Sequence, residues 1–127
     1  MRSPRRGANA VEFALLLPVL LTFTFGIMDL GWSYFIRHAA GSAAAAGARA
    51  GALTAQTADP SGHALEVAAQ RWDEIGLPAT PVLTALQVGD PSRMVVQVSV
   101  DLEPLVGFVV GPHTIDVTAT KRMEDQP

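Results

Sequence analysis

Glu12 has the strongest claim to chemistry in this sequence. It stands at the head of an uncharged run, Phe13 to Met28 (FALLLPVLLTFTFGIM). A carboxylate left unpaired in hydrocarbon costs several kcal/mol, so an acid in this position needs a partner. The string around it, residues 5–13, is RRGANAVEF. Scission after Gly7 would make Ala8 a new N-terminus, whose α-amine has a pKa of about 8. That amine lies one helical turn from Glu12. Within one chain the two groups share nearly the same face without ideal contact. Between two chains offset along the axis, amine and carboxylate neutralise one another. The charge penalty is then relieved only when neighbours are in register, which makes Glu12 a device for assembly.

The other reactive side chains do not gather into a recognisable site. With no cysteine there is no disulfide framework, thiolate zinc site or thiol nucleophile. No GxSxG, P-loop, GxGxxG or His-Glu-x-x-His string occurs. The histidines, His38, His63 and His113, are scattered. His63 and Glu66 stand three apart on an expected helix, but two ligands without a third do not hold a metal. Asp101 and Glu103, on or beside an expected strand, read as solvated surface. The expectation is a protein without catalytic residues, cofactor or metal. The balance of 9 Lys+Arg against 12 Asp+Glu argues against nucleic acid as a partner.

These residues are positioned by a membrane-length helix. At 127 residues the chain has room for one domain of ordinary size. Hydrophobic residues make up 49% and charged ones 17%, which excludes charge-driven disorder. As a helix, residues 8–28 reach about 31 Å, the thickness of a hydrocarbon core. Gly31 to Ile36 (GWSYFI) adds length, and Asp29, Trp32 and Tyr34 fall at the far interface, the aromatics where a belt would place them. Pro18 lies inside the span, where it is expected to kink the helix. Arg2, Arg5 and Arg6 precede the span with no acid before Glu12. The positive-inside rule then keeps the N-terminus cytoplasmic and exports the rest. Residues 59–127 carry 4 basic and 10 acidic side chains, net −6, as suits an acidic extracytoplasmic domain. Two simpler readings compete: a cleaved secretory signal, for which the apolar region is too long, and a plain single-span anchor.

Basic residues, Gly7, four residues, Glu12, then an aromatic and an apolar helix resemble the class III signal of type IV pilin-like proteins. Gly-x-x-x-x-Glu-Phe followed by Ala-Leu-Leu-Leu-Pro, with the later Asp-Leu-Gly-Trp-Ser-Tyr-Phe from Asp29, resembles the TadE-like pseudopilins of tight-adherence (Flp) pilus systems. The resemblance covers roughly residues 5–52. It implies cleavage between Gly7 and Ala8 by a prepilin peptidase, Glu12 as the assembly carboxylate, and Phe13 and Pro18 in helix packing. It implies as partners the bilayer, the peptidase, other pilin or pseudopilin subunits and the pilus assembly machinery. The chain departs from major type IV pilins in having Ala8 at the mature start. It departs from the Flp major pilin in carrying Phe13, where Tyr is usual, and a much longer domain. Both departures favour a minor component.

Beyond the span, residues 39–52 (AAGSAAAAGARAGA) predict a thin helix or a flexible linker, with Gly47 and Gly51 in a GxxxG spacing that permits close approach of a neighbour. Asp59-Pro60 predicts a helix start and Gly76 with Pro78 its end, with Leu65, Ala68, Ala69, Trp72 and Ile75 recurring at helical spacing and Trp72 as a core anchor. Strands are expected over Val82–Val88, Met94–Leu102 and Thr114–Lys121, with a turn at residues 89–93. In the second, Met94, Val96, Val98, Val100 and Leu102 share one face. The third alternates Ile115, Val117 and Ala119 against polar residues. Between them the apolar loop 105–111, framed by Pro104 and Pro112, either plugs the core edge or exposes a patch to another subunit or the membrane surface.

The expected fold class is therefore α+β and pilin-like: a long N-terminal transmembrane helix continuing into a stalk, a short helix, and a small three-stranded antiparallel sheet. The divisions are a leader at 1–7, a transmembrane helix at 8–36, a stalk or linker at 37–58 and a head at 59–127. The function expected is that of an inner-membrane, single-pass pseudopilin needed for assembly of a tight-adherence pilus. The alternative is a signal-anchored extracytoplasmic binding or envelope protein unrelated to pili.

Overall fold

A computed structural model describes residues 5–54, 59–89, 92–107 and 109–123, without the side chains of Arg5, Arg6 and Ala8. Parts of five sequence-based expectations lie outside the described residues: the first four leader positions, 55–58 of the stalk, Asp90 and Pro91 of the turn, Phe108 of the apolar loop, and 124–127 at the end of the head.

Helix α1 runs unbroken from Arg5 to Leu53, 49 residues, or about 74 Å at 1.5 Å per residue. Pro18 lies inside it and contributes no N–H. One turn on, the Thr22 hydroxyl donates to the Pro18 carbonyl at 2.8 Å, and Thr24 donates to Leu20 at 2.9 Å. Both hydroxyls of the apolar run are thus satisfied by the helix's own backbone, as a lipid environment requires. The two halves of α1 differ in surroundings. From Val11 to Phe23 the large apolar side chains stand exposed. From Ile36 to Ala52 the helix is embedded in the head, with Ile36, Ala39, Ala40, Ala43, Ala44, Ala48 and Ala52 buried.

Helix α2 spans Pro60–Ile75. The Asp59 carboxylate caps it by accepting the Gly62 N–H at 2.8 Å, and Pro60 occupies the first turn, where its missing donor costs nothing. Gly76 ends it in the left-handed conformation, φ 70°, with its N–H donated to Asp73. The buried stripe is Pro60, Ala64, Ala68 and Trp72. It is centred one residue before the expected one: Leu65, Ala69 and Ile75 are half-buried. The reason is steric. Helix α2 crosses α1 closely at Ala64: a Cβ on Gly47 would lie 2.6 Å from the Ala64 carbonyl oxygen, and one on Gly51 would lie 2.8 Å from the Ala64 Cβ, which leaves little room for a larger side chain there. The small-residue face of α1 therefore receives α2 of the same chain, where the sequence pointed to a neighbouring molecule or a linker. Trp72 is the expected anchor, 2% exposed, and its indole N–H donates to the Ala79 carbonyl at 3.0 Å.

Strands β1 (Pro81–Val88), β2 (Arg93–Leu102) and β3 (His113–Arg122) form an antiparallel sheet in the order β1-β2-β3. In β2, Met94, Val96, Val98, Val100 and Leu102 are all buried, as the alternation requires. They meet α1 and α2, while β3 lies along α1, with Val117 beside Gly41. The outer face is polar toward β3, where Thr114 donates to Asp101 at 2.7 Å across the β2–β3 pair. The observed architecture is thus the expected α+β layout: a long apolar helix, a short second helix and a three-stranded antiparallel sheet.

Candidate functional site

The first turns of α1 carry the motif residues. Gly7 is exposed, and a Cβ placed on it meets nothing within 4 Å. No packing contact among the described residues therefore requires a glycine there, in contrast to Gly47 and Gly51 on the same helix. Ala8 precedes Glu12 by four residues, about 6 Å along the axis. Glu12 and Phe13 are exposed, and Glu12 has no ion-pair partner among the described residues; the pairs observed, His63–Glu66 and Arg71–Glu74, lie on the surface of α2. Phe13 lines an apolar surface cleft with Leu16, Leu17, Val19, Leu20 and Phe23. Only 6% of the most apolar window of α1 is buried inside the molecule, so this half is not the core helix of the head.

At the other end of the apolar run lies a site whose position the sequence marks and whose content it does not. Asp29 is the one buried polar or charged side chain among the described residues, 1% exposed. Its carboxylate accepts the backbone N–H of Val106 at 2.9 Å and that of Val109 at 3.5 Å. Both donors belong to the β2–β3 loop, and hydrogen bonds from backbone amides to a carboxylate are charge-assisted. Gly26, one turn earlier, allows the loop this close: a Cβ there would meet the Val109 side chain at 3.3 Å. Gly107, at φ 70°, supplies the left-handed residue that turns the loop between the two donors. The loop thus docks on α1 and still leaves Leu105, Val106 and Val109 exposed. The sequence signal for this pairing is weak: an acid directly after a long uncharged run, and an apolar segment between two prolines 77 residues away.

Trp32 and Tyr34 occupy the next turn. Trp32 is half-buried against the head core and stacks on Phe35 with ring centroids 5.8 Å apart, while Tyr34 projects outward. Tyr34 also edges a groove of about 750 Å³ lined by Arg37, His38, Arg49 and Arg71. Arg71 in turn donates to Glu74 at 2.9 Å and to Ser42 at 3.3 Å, tying α2 to α1.

Residues 7–49 match the family described as TadE-like protein. Over this segment, about a third of the chain, it is similar to TadE-like proteins. The matched segment begins at Gly7, includes Glu12, Phe13, Pro18, Asp29, Trp32 and Tyr34, and ends at Arg49 on the buried half of α1. It excludes α2, the sheet and the loop that reaches Asp29. No curated protein and no solved structure matches the chain. The helix, apolar and uncovered over its first half, together with this similarity, supports a membrane-anchored protein.

Proposed function

We propose that this chain is a pseudopilin that takes part in assembling a tight-adherence pilus. The supporting observation is the TadE-like match, which opens at Gly7 and runs through Glu12 along a helix whose apolar surface is unoccupied. The chain sits in the inner membrane with its arginine-bearing end in the cytoplasm and its head outside. A prepilin peptidase hydrolyses the Gly7–Ala8 peptide bond. Water adds across that bond, the leader leaves with a carboxylate on Gly7, and Ala8 keeps a protonated α-amine. Glu12 of one chain then neutralises the amine of an adjacent subunit, and Phe13, with the leucines around it, packs between helices. A mate for Glu12 thus arises only after processing and only in register with a neighbour.

N-terminal sequencing and intact mass of the membrane-extracted protein test the processing step in cells that express the peptidase. The expected start is Ala8. A chain that keeps its arginine leader there contradicts the pilus reading and leaves a signal-anchored envelope protein; a start beyond the Ala-rich segment points to a secretory signal. Glu12→Ala should insert normally but lose most recovery of partner subunits in a pull-down. Unchanged recovery would remove the role assigned to the carboxylate.

A further inference from the structure

The loop between β2 and β3 is the feature that pilus assembly through α1 leaves unexplained. Residues 104–112 read PLVGFVVGP, with no charged side chain. Soluble heads do not ordinarily expose such a segment, and this one points toward the apolar half of α1.

Two contacts set its depth. The hydrogen bond from Val106 to Asp29 places the loop backbone level with the end of the uncharged run. The approach of Val109 to Gly26 places that side chain three residues further toward the N-terminus, about 4.5 Å deeper. Residues 9–28 already account for about 30 Å of helix, a full hydrocarbon core. Asp29 therefore marks the outer edge of the core, and Val109 lies beneath it. Tyr34 stands about 7.5 Å above Asp29 and Arg37 about 12 Å above, where headgroups and water receive a phenol and a guanidinium.

The geometry points to residues 105–107 and 109–111 as a second, non-spanning membrane contact: Leu105, Val106 and Val109 enter the outer leaflet, and Asp29 pins the loop there. This rests on the membrane-anchored reading of α1. It also gives the buried carboxylate a purpose. An acid at the hydrocarbon edge needs donors, and the loop's backbone amides supply them while the loop's own N–H groups gain an acceptor in a layer poor in water. Lipid suits this surface better than a protein partner. Leu105, Val106 and Val109 are exposed and apolar, as are Ile27, Met28 and Leu30 near the same level of α1, so the loop is held at the depth of the lipid tails.

The absence of cysteine allows single-site labelling of the full chain in phospholipid vesicles. Leu105→Cys, Val106→Cys and Val109→Cys would carry an environment-sensitive fluorophore, with Leu20→Cys as the span control and Glu66→Cys as the head control. The expected result is blue-shifted emission at the three loop sites, most of it lost when nitroxide-bearing phospholipid is included, as at position 20 and unlike position 66. Water-like emission without lipid quenching at the loop overturns the proposal. So does emission that is shielded but not quenched by lipid and reverts when the protein is diluted in the bilayer, the mark of a second copy. If position 20 also escapes quenching, the membrane reading itself fails, separately from the loop. Photoreactive diazirine phospholipid with the unsubstituted chain gives a check free of folding effects. Adducts in both 13–28 and 105–112 support the loop contact, and adducts in 13–28 alone overturn it.

Discussion

Replacing Gly47 with alanine sets two opposed effects against each other. In a helix interior alanine is favoured over glycine by about 1 kcal/mol, so the substitution strengthens α1 taken alone. Against this, the new Cβ would lie 2.6 Å from the Ala64 carbonyl oxygen and 2.9 Å from the Ala68 Cβ. A carbon–oxygen contact relaxes only near about 3.3–3.6 Å, so α2 must retreat by roughly 0.7–1 Å. No rotamer change relieves the contact, because one partner is backbone and the other is itself a Cβ. A gap of that size forfeits about a quarter to a half of the dispersion energy along the seam, and overpacking of this kind costs about 1–3 kcal/mol. With rigid partners the upper end applies, and the net expectation is a loss of about 2 kcal/mol after the propensity gain. Gly31→Ala is the internal reference: nothing lies within 4 Å of its added Cβ, so it should be neutral or stabilise by up to about 1 kcal/mol. The assay is urea denaturation of the full chain in detergent micelles, followed by circular dichroism of the sheet and helices. If Gly47→Ala proves as stable as Gly31→Ala, then α2 does not sit on this face of α1 and the packing argument fails.

The remaining predictions concern the cap, the anchor and the loop. Asp59→Ala removes the acceptor for the Gly62 N–H and should cost about 1 kcal/mol in the same titration. Trp72→Phe keeps most of the buried area but leaves the Ala79 carbonyl without its indole donor, an expected loss of about 1–3 kcal/mol; a variant as stable as the parent would show that this hydrogen bond is dispensable. Asp29→Ala strips the acceptor from the Val106 and Val109 amides, so their hydrogen exchange should accelerate while the amides of β2 stay protected. Retained protection at both would mean that the loop is held by something other than the carboxylate.

Most of the local order is legible in the sequence alone. The boundaries of α2 follow from Asp59, Pro60 and Gly76, because a cap is decided by the residue at the helix end and the few amides next to it. The inward face of β2 follows from the alternation Met94 to Leu102, since successive side chains on a strand must point to opposite sides. Gly7, Glu12, Phe13 and Pro18 stand out by their spacing along one continuous helix, and the family match spans the stretch that holds them.

Long-range partners are not legible in the same way. The alanines and glycines of 39–52 announce that something approaches closely, but small side chains are equally suited to a helix from the same chain and one from another. The choice fell to α2, whose Ala64 and Ala68 lie against Gly47 and Gly51. The same limit moved the buried centre of α2 from Leu65 to Ala64, since hydrophobicity ranks leucine higher and only the crossing point shows that there is no room for it. Asp29 is legible as a charge at the edge of an apolar run; that it holds a loop 77 positions away is not. Periodicity and capping are properties of neighbours along the chain. A buried carboxylate's donors are whatever the fold brings within about 3 Å of it, and that distance exists only after the sheet has packed against the helix.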